Sequence, residues 1–406
     1  MTDPSTTAPA DYSLQRDARC PMDPPPAYRP LREAGGLVRV RAWDGSEPWL
    51  VTRHDDARAA LSDSRLSSDP RTPGFPHTQP TSAARQEIDL PFAFVEGPEH
   101  LIERRLLVKE FTARKAREAR PAIQRIVDEA IDGMLAGTKP CDLYESLSLP
   151  VATHTIGELL GVPPADRPLL QAGSRRIGSR RVSKETGSEA FEDLNEYFEH
   201  LVDLRMREPG DDMVSRLLAT YAATDGLTRA KAVSTIQVLF FAGWGPSSYM
   251  IEFGVLALLL HPEQLALLKA DPSPGLLAST VEETLRYATV SVNGRQRAAL
   301  ADLTLGGQPI RQGEGVLVQL DSANRDADAF PDPDTFDITR RAGRHLGFGH
   351  GPHKCIGAEL SRAEMSIAYE TLFRRIPDLQ LVLPLEQLPF STELTLYSLD
   401  ELLVTW

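Results

Sequence analysis

From 229 to 260 the sequence runs as one helical pattern that is apolar on nearly every side, RAKAVSTIQVLFFAGWGPSSYMIEFGVLALLL. Such a helix has no face to offer water, so it is stable only when other helices enclose it. The chain can supply that shell, with 406 residues, 41% of them apolar and 25% charged. Further helical patterns run from about 99 to 111, 113 to 136, 150 to 160, 166 to 180, 188 to 207, 262 to 270, 276 to 288 and 357 to 375. A short helix at 26–34, an Asp44-Gly45 turn between β-prone arms and β-prone pieces after 290 complete the pattern. The expected class is mainly α with minor β, an α+β arrangement. A prior of about 150 residues per domain suggests two or three domains. No linker, charge block or repeat divides the chain, however, so the expected organisation is a disordered lead-in, 1–25, and a single domain, 26–406.

The net charge of −13 and the lack of a basic stripe argue against nucleic acid as a partner. Three cysteines, Cys20, Cys141 and Cys355, show no framework spacing, which suits a reducing compartment. The N-terminal residues have neither a positive n-region nor an apolar h-region. The longest apolar runs, such as Val255–Leu260, are far shorter than the ~18–20 residues that span a bilayer. The expectation is a cytoplasmic protein with no membrane partner.

Chemistry concentrates in Phe348-Gly349-His350-Gly351-Pro352-His353-Lys354-Cys355-Ile356-Gly357. A lone cysteine is often simple packing. His345, His350, His353 and Cys355 also cluster as zinc ligands would, although no second half with zinc spacing follows. The glycines favour a third reading. Gly351 permits a tight turn, and Gly357 opens a helix without a Cβ beside a flat ring. A thiolate before a helix N-terminus is stabilised by the dipole and the free amides.

This loop resembles, at every fixed position, the Phe-x-x-Gly-x-x-x-Cys-x-Gly loop of the cytochrome P450 family in its soluble bacterial, actinomycete type. The resemblance runs from about Pro24 to Trp406 and includes Ser322-Ala323-Asn324-Arg325-Asp326. It implies the family's triangular-prism fold, with haem b between the long helix and the cysteine helix. It also implies Cys355 as the thiolate ligand to iron, with Phe348 packing against the sulfur. Glu283 and Arg286 match the family's Glu-x-x-Arg, an i, i+3 pair on one helix face, and Arg340 is the third member of that structural triad. His100, Arg104, Arg297 and His353 occupy the positions that meet the haem propionates.

One departure bears on the reaction. Over the iron, oxygen-activating members carry Ala-Gly-x-acid-Thr, in which the acid and the hydroxyl relay protons to dioxygen. Here Gly243 is followed by Trp244, Gly245 stands for the acid and Pro246 for the threonine. Neither side chain donates a proton. Proline inside a helix costs ~3 kcal/mol or more and frees the carbonyl of Ala242. With Gly243 opening space, that carbonyl offers a site for water or a substrate donor. Ser247 reaches the pocket only if the helix kinks, because it lies ~100° further round.

The substrate site is expected in 68–95, 289–296 and 392–394, with Phe92, Phe94, Val290, Val292, Asn293, Glu393 and Leu394. A carboxylate and an amide in an apolar cavity suit an amino-acid or peptide-like substrate. The reading is therefore an enzyme that tailors a small specialised metabolite. It hydroxylates with water- or substrate-assisted proton delivery, or it drives oxidative coupling or desaturation. Use of peroxide or nitric oxide is an alternative, and a non-catalytic haem protein that binds a ligand is an alternative of another class. The resemblance implies ferredoxin and ferredoxin reductase as electron donors, met by Arg105, Lys109, Arg114, Lys115, Arg344 and Lys354. The basic run 173–184 would greet a substrate carboxylate or an acidic carrier protein.

Overall fold

The structure, a computed structural model, describes residues 10–12, 15–78, 91–178, 184–224, 228–291, 293–391 and 396–406. Among these the helices are α1 Tyr28–Ala34, α2 His54–Ser62, α3 Gly97–Leu107, α4 Ala113–Ala136, α5 Leu149–Leu160, α6 Arg167–Gly178, α7 Lys184–Arg207, α8 Met213–Ala222, α9 Arg229–Leu260, α10 Pro262–Ala270, α11 Pro274–Tyr287, α12 Leu320–Ala323 and α13 Ala358–Arg375. The strands are β1 Ala10–Asp11, β2 Val38–Arg41, β3 Trp49–Val51, β4 Leu66–Ser67, β5 Cys141–Asp142, β6 Arg295–Ala299, β7 Leu303–Leu305, β8 Gln308–Ile310, β9 Gly315–Val318, β10 Gln380–Leu381, β11 Phe390–Ser391, β12 Ser398–Leu399 and β13 Leu403–Thr405. The long helical patterns all form helices. Three short ones, α2, α8 and α12, have no counterpart in the sequence reading, because so few residues carry little periodicity. The 26–406 body expected from sequence divides by its internal contacts into two compact units.

The first unit comprises Met1–His100, Ser291–Thr335 and Arg344–Cys355. Its sheet has the order β1-β2-β3-β9-β6-β4, mixing parallel pairs (β1 with β2, β3 with β9) and antiparallel ones. Val51, Ala57, Leu61, Val316, Val318 and Leu320 build its core. The Ser322–Asp326 phrase is the hub of this unit. Ser322 Oγ donates to the Thr52 carbonyl at 3.0 Å, and Arg325 pairs with Asp23 and Asp334, each at 3.1 Å. Asn324 Oδ1 accepts the Leu346 amide at 2.7 Å, and Asp326 Oδ2 accepts the His54 amide at 2.8 Å.

The lead-in differs from expectation. Ala10–Asp11 pairs with β2, and Arg16 meets Asp321 at 3.0 Å with side chains 6% and 3% exposed. The physical reason is that a buried carboxylate requires a cation, and the lead-in supplies it. Residues 1–9, 13 and 14 lie outside the described residues.

The second unit comprises Leu101–Val290, Phe336–Gly343 and Ile356–Trp406. Helix α9 is its spine, with nearly every residue from Trp244 to Leu258 buried, and it packs against α5 and α13. At Gly254 the approach of α13 is so close that a Cβ would lie 1.8 Å from the Tyr369 hydroxyl, which donates to the Met250 carbonyl at 2.8 Å. No single helix among the described residues is long and apolar enough to cross a membrane. The pair α9 and α10 passes by composition but is bent by 103°.

Glu283 on α11 is fully buried and takes Arg286 as a fork, Nη2 at 2.7 Å and Nε at 2.8 Å. Its Oε1 also accepts Arg340 Nε at 3.2 Å and the Asp337 amide at 2.9 Å. Removing the acid strands a buried guanidinium. Glu283→Ala is therefore expected to destabilise the protein by about 3–5 kcal/mol, read by equilibrium denaturation. A loss below about 1 kcal/mol would mean that the triad behaves as a surface pair.

Candidate functional site

The cysteine loop is built by backbone constraints. The Cys355 amide donates to the Phe348 carbonyl at 2.8 Å, and the Gly349 amide to the Leu346 carbonyl at 2.8 Å. Gly349 and Gly351 have φ of 69° and 72°, a left-handed region that favours glycine. A Cβ on Gly351 would also fall 2.3 Å from the Leu61 carbonyl at the end of α2. From the other side His54 Nε2 meets the Arg344 carbonyl at 3.0 Å. The loop is thus clamped, Phe348 is buried, and Cys355 remains exposed.

Gly357 precedes α13 with an ordinary φ of −81°, so its backbone alone does not demand glycine. The zinc geometry does not arise. Among the described residues no three His, Cys, Asp or Glu gather to hold a metal ion. His345 Nδ1 instead accepts the Gly347 amide at 2.9 Å.

Beside the loop in the first unit, the His100 and His353 rings stack with centroids 4.2 Å apart. His353 Nε2 lies 3.2 Å from Glu96 Oε2 and 3.3 Å from Ser68 Oγ. Ser68 gives Glu96 Oε1 both its amide and its hydroxyl at 2.6 Å. Burial works against the Glu96 carboxylate, and the bonds from His353 and Ser68 outweigh it, holding the group down at about 2. Neither Glu96 nor Ser68 was singled out from sequence. An acid just before the Gly97-Pro98 helix start was the only local signal.

Arg297 is buried on β6, and Nη1 donates to the Gln296 carbonyl at 2.8 Å. Burial lowers its guanidinium to about 10; Glu96 opposes that shift and Arg295 adds to it. A buried guanidinium bonded to a backbone carbonyl and sensing Glu96, the acid that also meets one of the two stacked imidazoles, fits an anionic group such as a haem propionate, and the exposed Cys355 sulfur offers a soft axial ligand. Arg104 is half-buried one turn beyond His100 on α3.

In the second unit α9 continues through Pro246 as one helix, and Ser248 Oγ donates to the Gly245 carbonyl at 2.9 Å. Ser247 is buried with its hydroxyl 3.5 Å from Ser361 Oγ on α13. The swing of Ser247 considered from sequence therefore does not occur, because the helix holds its phase and α13 supplies the partner. Gly243 does not simply open space either, since a Cβ there would meet Ile156 of α5 at 2.7 Å. At Gly245 a Cβ would meet only Leu396 at an ordinary 3.5 Å.

Phe92 and Asn293 are buried and Phe94 is half-buried. Val292, Glu393 and Leu394 lie outside the described residues. Arg105, Lys109, Arg114, Arg344 and Lys354 are exposed and Lys115 half-buried, with Arg114 and Lys115 both near Glu118. In the basic run, Arg175 is already paired with Glu145 at 2.5 Å and Arg176 with Asp193 at 3.2 Å. These two are less available to an acidic carrier than the sequence suggests. Residues 179–183 lie outside the described residues.

A family model described as cytochrome P450 matches residues 275–381. The chain is 43% identical over 406 residues to cytochrome P450 GfsF of Streptomyces halstedii, covering 100% of this chain and 98% of that protein. The crystal structure of GfsF matches with a TM-score of 0.94 over 98% of this chain and 100% of that one. Pentalenic acid synthase of Streptomyces avermitilis is 41% identical over 406 residues, 100% of both chains. Cytochrome P450 MoxA of Nonomuraea recticatena is 41% identical with a TM-score of 0.93, covering 98% of this chain and 99% of that one. With identity of this level along the whole chain, the protein belongs to the cytochrome P450 family of haem-thiolate monooxygenases.

Proposed function

We propose that this enzyme hydroxylates a small specialised metabolite and that the protons consumed by the reaction arrive through water or through groups of the substrate. The observation that carries the reading is the uninterrupted passage of α9 through Gly245 and Pro246, with Ser247 engaged by α13. No side chain at 245 or 246 can hold or pass a proton, and the adjoining hydroxyls of Ser247 and Ser248 face Ser361 Oγ at 3.5 Å and the Gly245 carbonyl at 2.9 Å. Relatives such as pentalenic acid synthase support a small specialised metabolite as the substrate class. Haem bound through Cys355 supplies the activation of dioxygen. Arg297, His353, His100 and Arg104 would hold its propionates, with Glu96 orienting His353. Electrons would come from a ferredoxin and its reductase in the cytoplasm, and the exposed Arg105, Lys109, Arg344 and Lys354 suit an acidic donor.

One buried acid lies beside Ser247. Glu364 on α13 is pushed up to about 8, first by burial; Ser247 opposes the shift, and Thr155 of α5 does so to a lesser extent. It is thus a neutral carboxylic acid at neutral pH. Its folded value stands above the unfolded 4.5, so the folded state binds the extra proton between the two values. Stability is full below the unfolded value and declines as pH rises towards about 8.

Cys355→Ala is expected to abolish the red-shifted Soret band of the reduced carbon monoxide adduct, and a band that persists would remove the ligand assignment. Gly245→Glu with Pro246→Thr should change the coupling of electron use to product by about tenfold or more; unchanged rate, product and uncoupling would overturn the proton argument. Denaturation from about pH 5 to about pH 8 should show the wild type losing on the order of 4 kcal/mol relative to Glu364→Gln. Parallel curves for the two proteins would place the acid in an ionised state.

A further inference from the structure

Among the residues of α3, only His100, Glu103 and Leu107 are buried. The helix therefore rests on a single apolar side chain, while Leu101 and Ile102 stay exposed. Apolar contact is non-directional, so one leucine does not decide how a helix is rotated about its axis. Glu103 does. Its side chain is fully buried, and Oε1 lies 3.1 Å from Lys231 Nζ in the first turn of α9. Oε2 accepts the Tyr221 hydroxyl from the end of α8 at 3.0 Å and the Thr235 hydroxyl, one turn further along α9, at 3.1 Å. One carboxylate is thus tied to two other helices. Lys231 needs the pairing as much as Glu103 does. A cation near a helix N-terminus opposes the dipole, the first turn of α9 contains no acid, and the Lys231 side chain is only 14% exposed.

We infer that Glu103 is a positioning residue, whose buried pair with Lys231 fixes the rotation of α3 and so holds Arg104 against the anionic edge of the cofactor. The inference rests on the reading of Arg104 given above and adds a residue that acts through it. Glu103 directly precedes Arg104 and leaves the helix ~100° away from it. The two side chains therefore serve different partners, but any roll of α3 moves both. A roll of ~20° carries a side-chain tip ~5–6 Å from the axis through ~2 Å. A charge-assisted bond of ~2.8 Å does not survive that displacement. A carboxylate that meets one lysine and two hydroxyls on two helices resists such a roll, because turning α3 would strip a buried charge of its partners. Full burial of Glu103 also keeps the pair from being screened by salt, so its hold is steady across ionic conditions.

The test uses the ferric holoenzyme and the double variant Glu103→Leu with Lys231→Met, which removes both charges together. Tyr221 and Thr235 keep a partner in each other, since their hydroxyls are 3.3 Å apart. The double variant is therefore expected to fold, with the far-UV circular dichroism of the wild type. Its haem transfer to apomyoglobin should be about 10-fold faster or more, and its ferric–ferrous midpoint potential should fall as a cation leaves the haem edge. Because the two removed charges are opposite, a fall in potential reports movement of Arg104. Arg104→Gln should speed transfer by about 10-fold in the wild-type background and by less than about threefold in the double variant, where Arg104 is already displaced. Glu103→Gln, a milder variant that keeps an acceptor for both hydroxyls, should give an intermediate rate. A full effect of Arg104→Gln in both backgrounds, with an unchanged potential, would show that the pair only adds stability and overturns the inference. So does a Glu103→Gln protein with the wild-type rate. If Arg104→Gln changes neither rate nor potential in the wild type, the propionate reading of Arg104 fails and the inference falls with it. The carbon monoxide band reports separately on Cys355 ligation, so its absence from the wild type would remove the haem-thiolate reading on which both depend.

Discussion

The hydrogen bond from the Cys355 amide to the Phe348 carbonyl, 2.8 Å long, closes the loop on which the chemistry of this protein depends. A thiolate is a useful axial ligand only if its sulfur cannot drift, and here the neighbouring structure removes that freedom step by step. Gly349 and Gly351 take left-handed turns, the Leu61 carbonyl fills the space where a Cβ would be, and Asn324 holds Leu346 from the sheet side. The first unit can be understood as a frame for this loop. Its Ser322–Asp326 hub ties strands, lead-in and loop together through buried, charge-assisted bonds, each worth more in a low-dielectric interior than it would be in water.

The second unit is governed by a different constraint, the need to enclose an apolar helix that contains a proline. Pro246 removes one amide from the ladder, a cost of about 3 kcal/mol. The helix persists because almost every residue beyond it is buried. Close packing of α9 on α13 at Gly254 leaves no slack for a large kink. The same rigidity keeps Ser247 on α13, beside a neutral Glu364, and so links a packing requirement to the protonation chemistry of the helix.

Much of the site was legible because its signals are local. The cysteine loop lies within ten residues, Glu283 and Arg286 are one helical turn apart, and the helix patterns carry their own period. Glu96 was not legible, since it meets His353 across 257 residues of sequence and no local rule joins them. Glu364 looked like any acid on an amphipathic helix until burial made it neutral. The zinc possibility shows the opposite failure: His345 and His353 are near Cys355 in sequence, but the backbone turns them to different partners, the Gly347 amide and Glu96.

What the sequence determined by itself was the class of elements, the cysteine loop, the acid–arginine pair and the absence of a proton donor at 245 and 246. Each of these follows from residue type at short range, where backbone geometry and periodicity act without help. Only the tertiary structure decided which charges are paired and which hydroxyls are free. It bound Ser247 to α13, gave Glu96 to His353 and spent Arg175 and Arg176 on nearby acids. The reason is physical: the energy of a charge depends on its distance from every other charge and on the water it has lost, and both quantities exist only once the chain has folded.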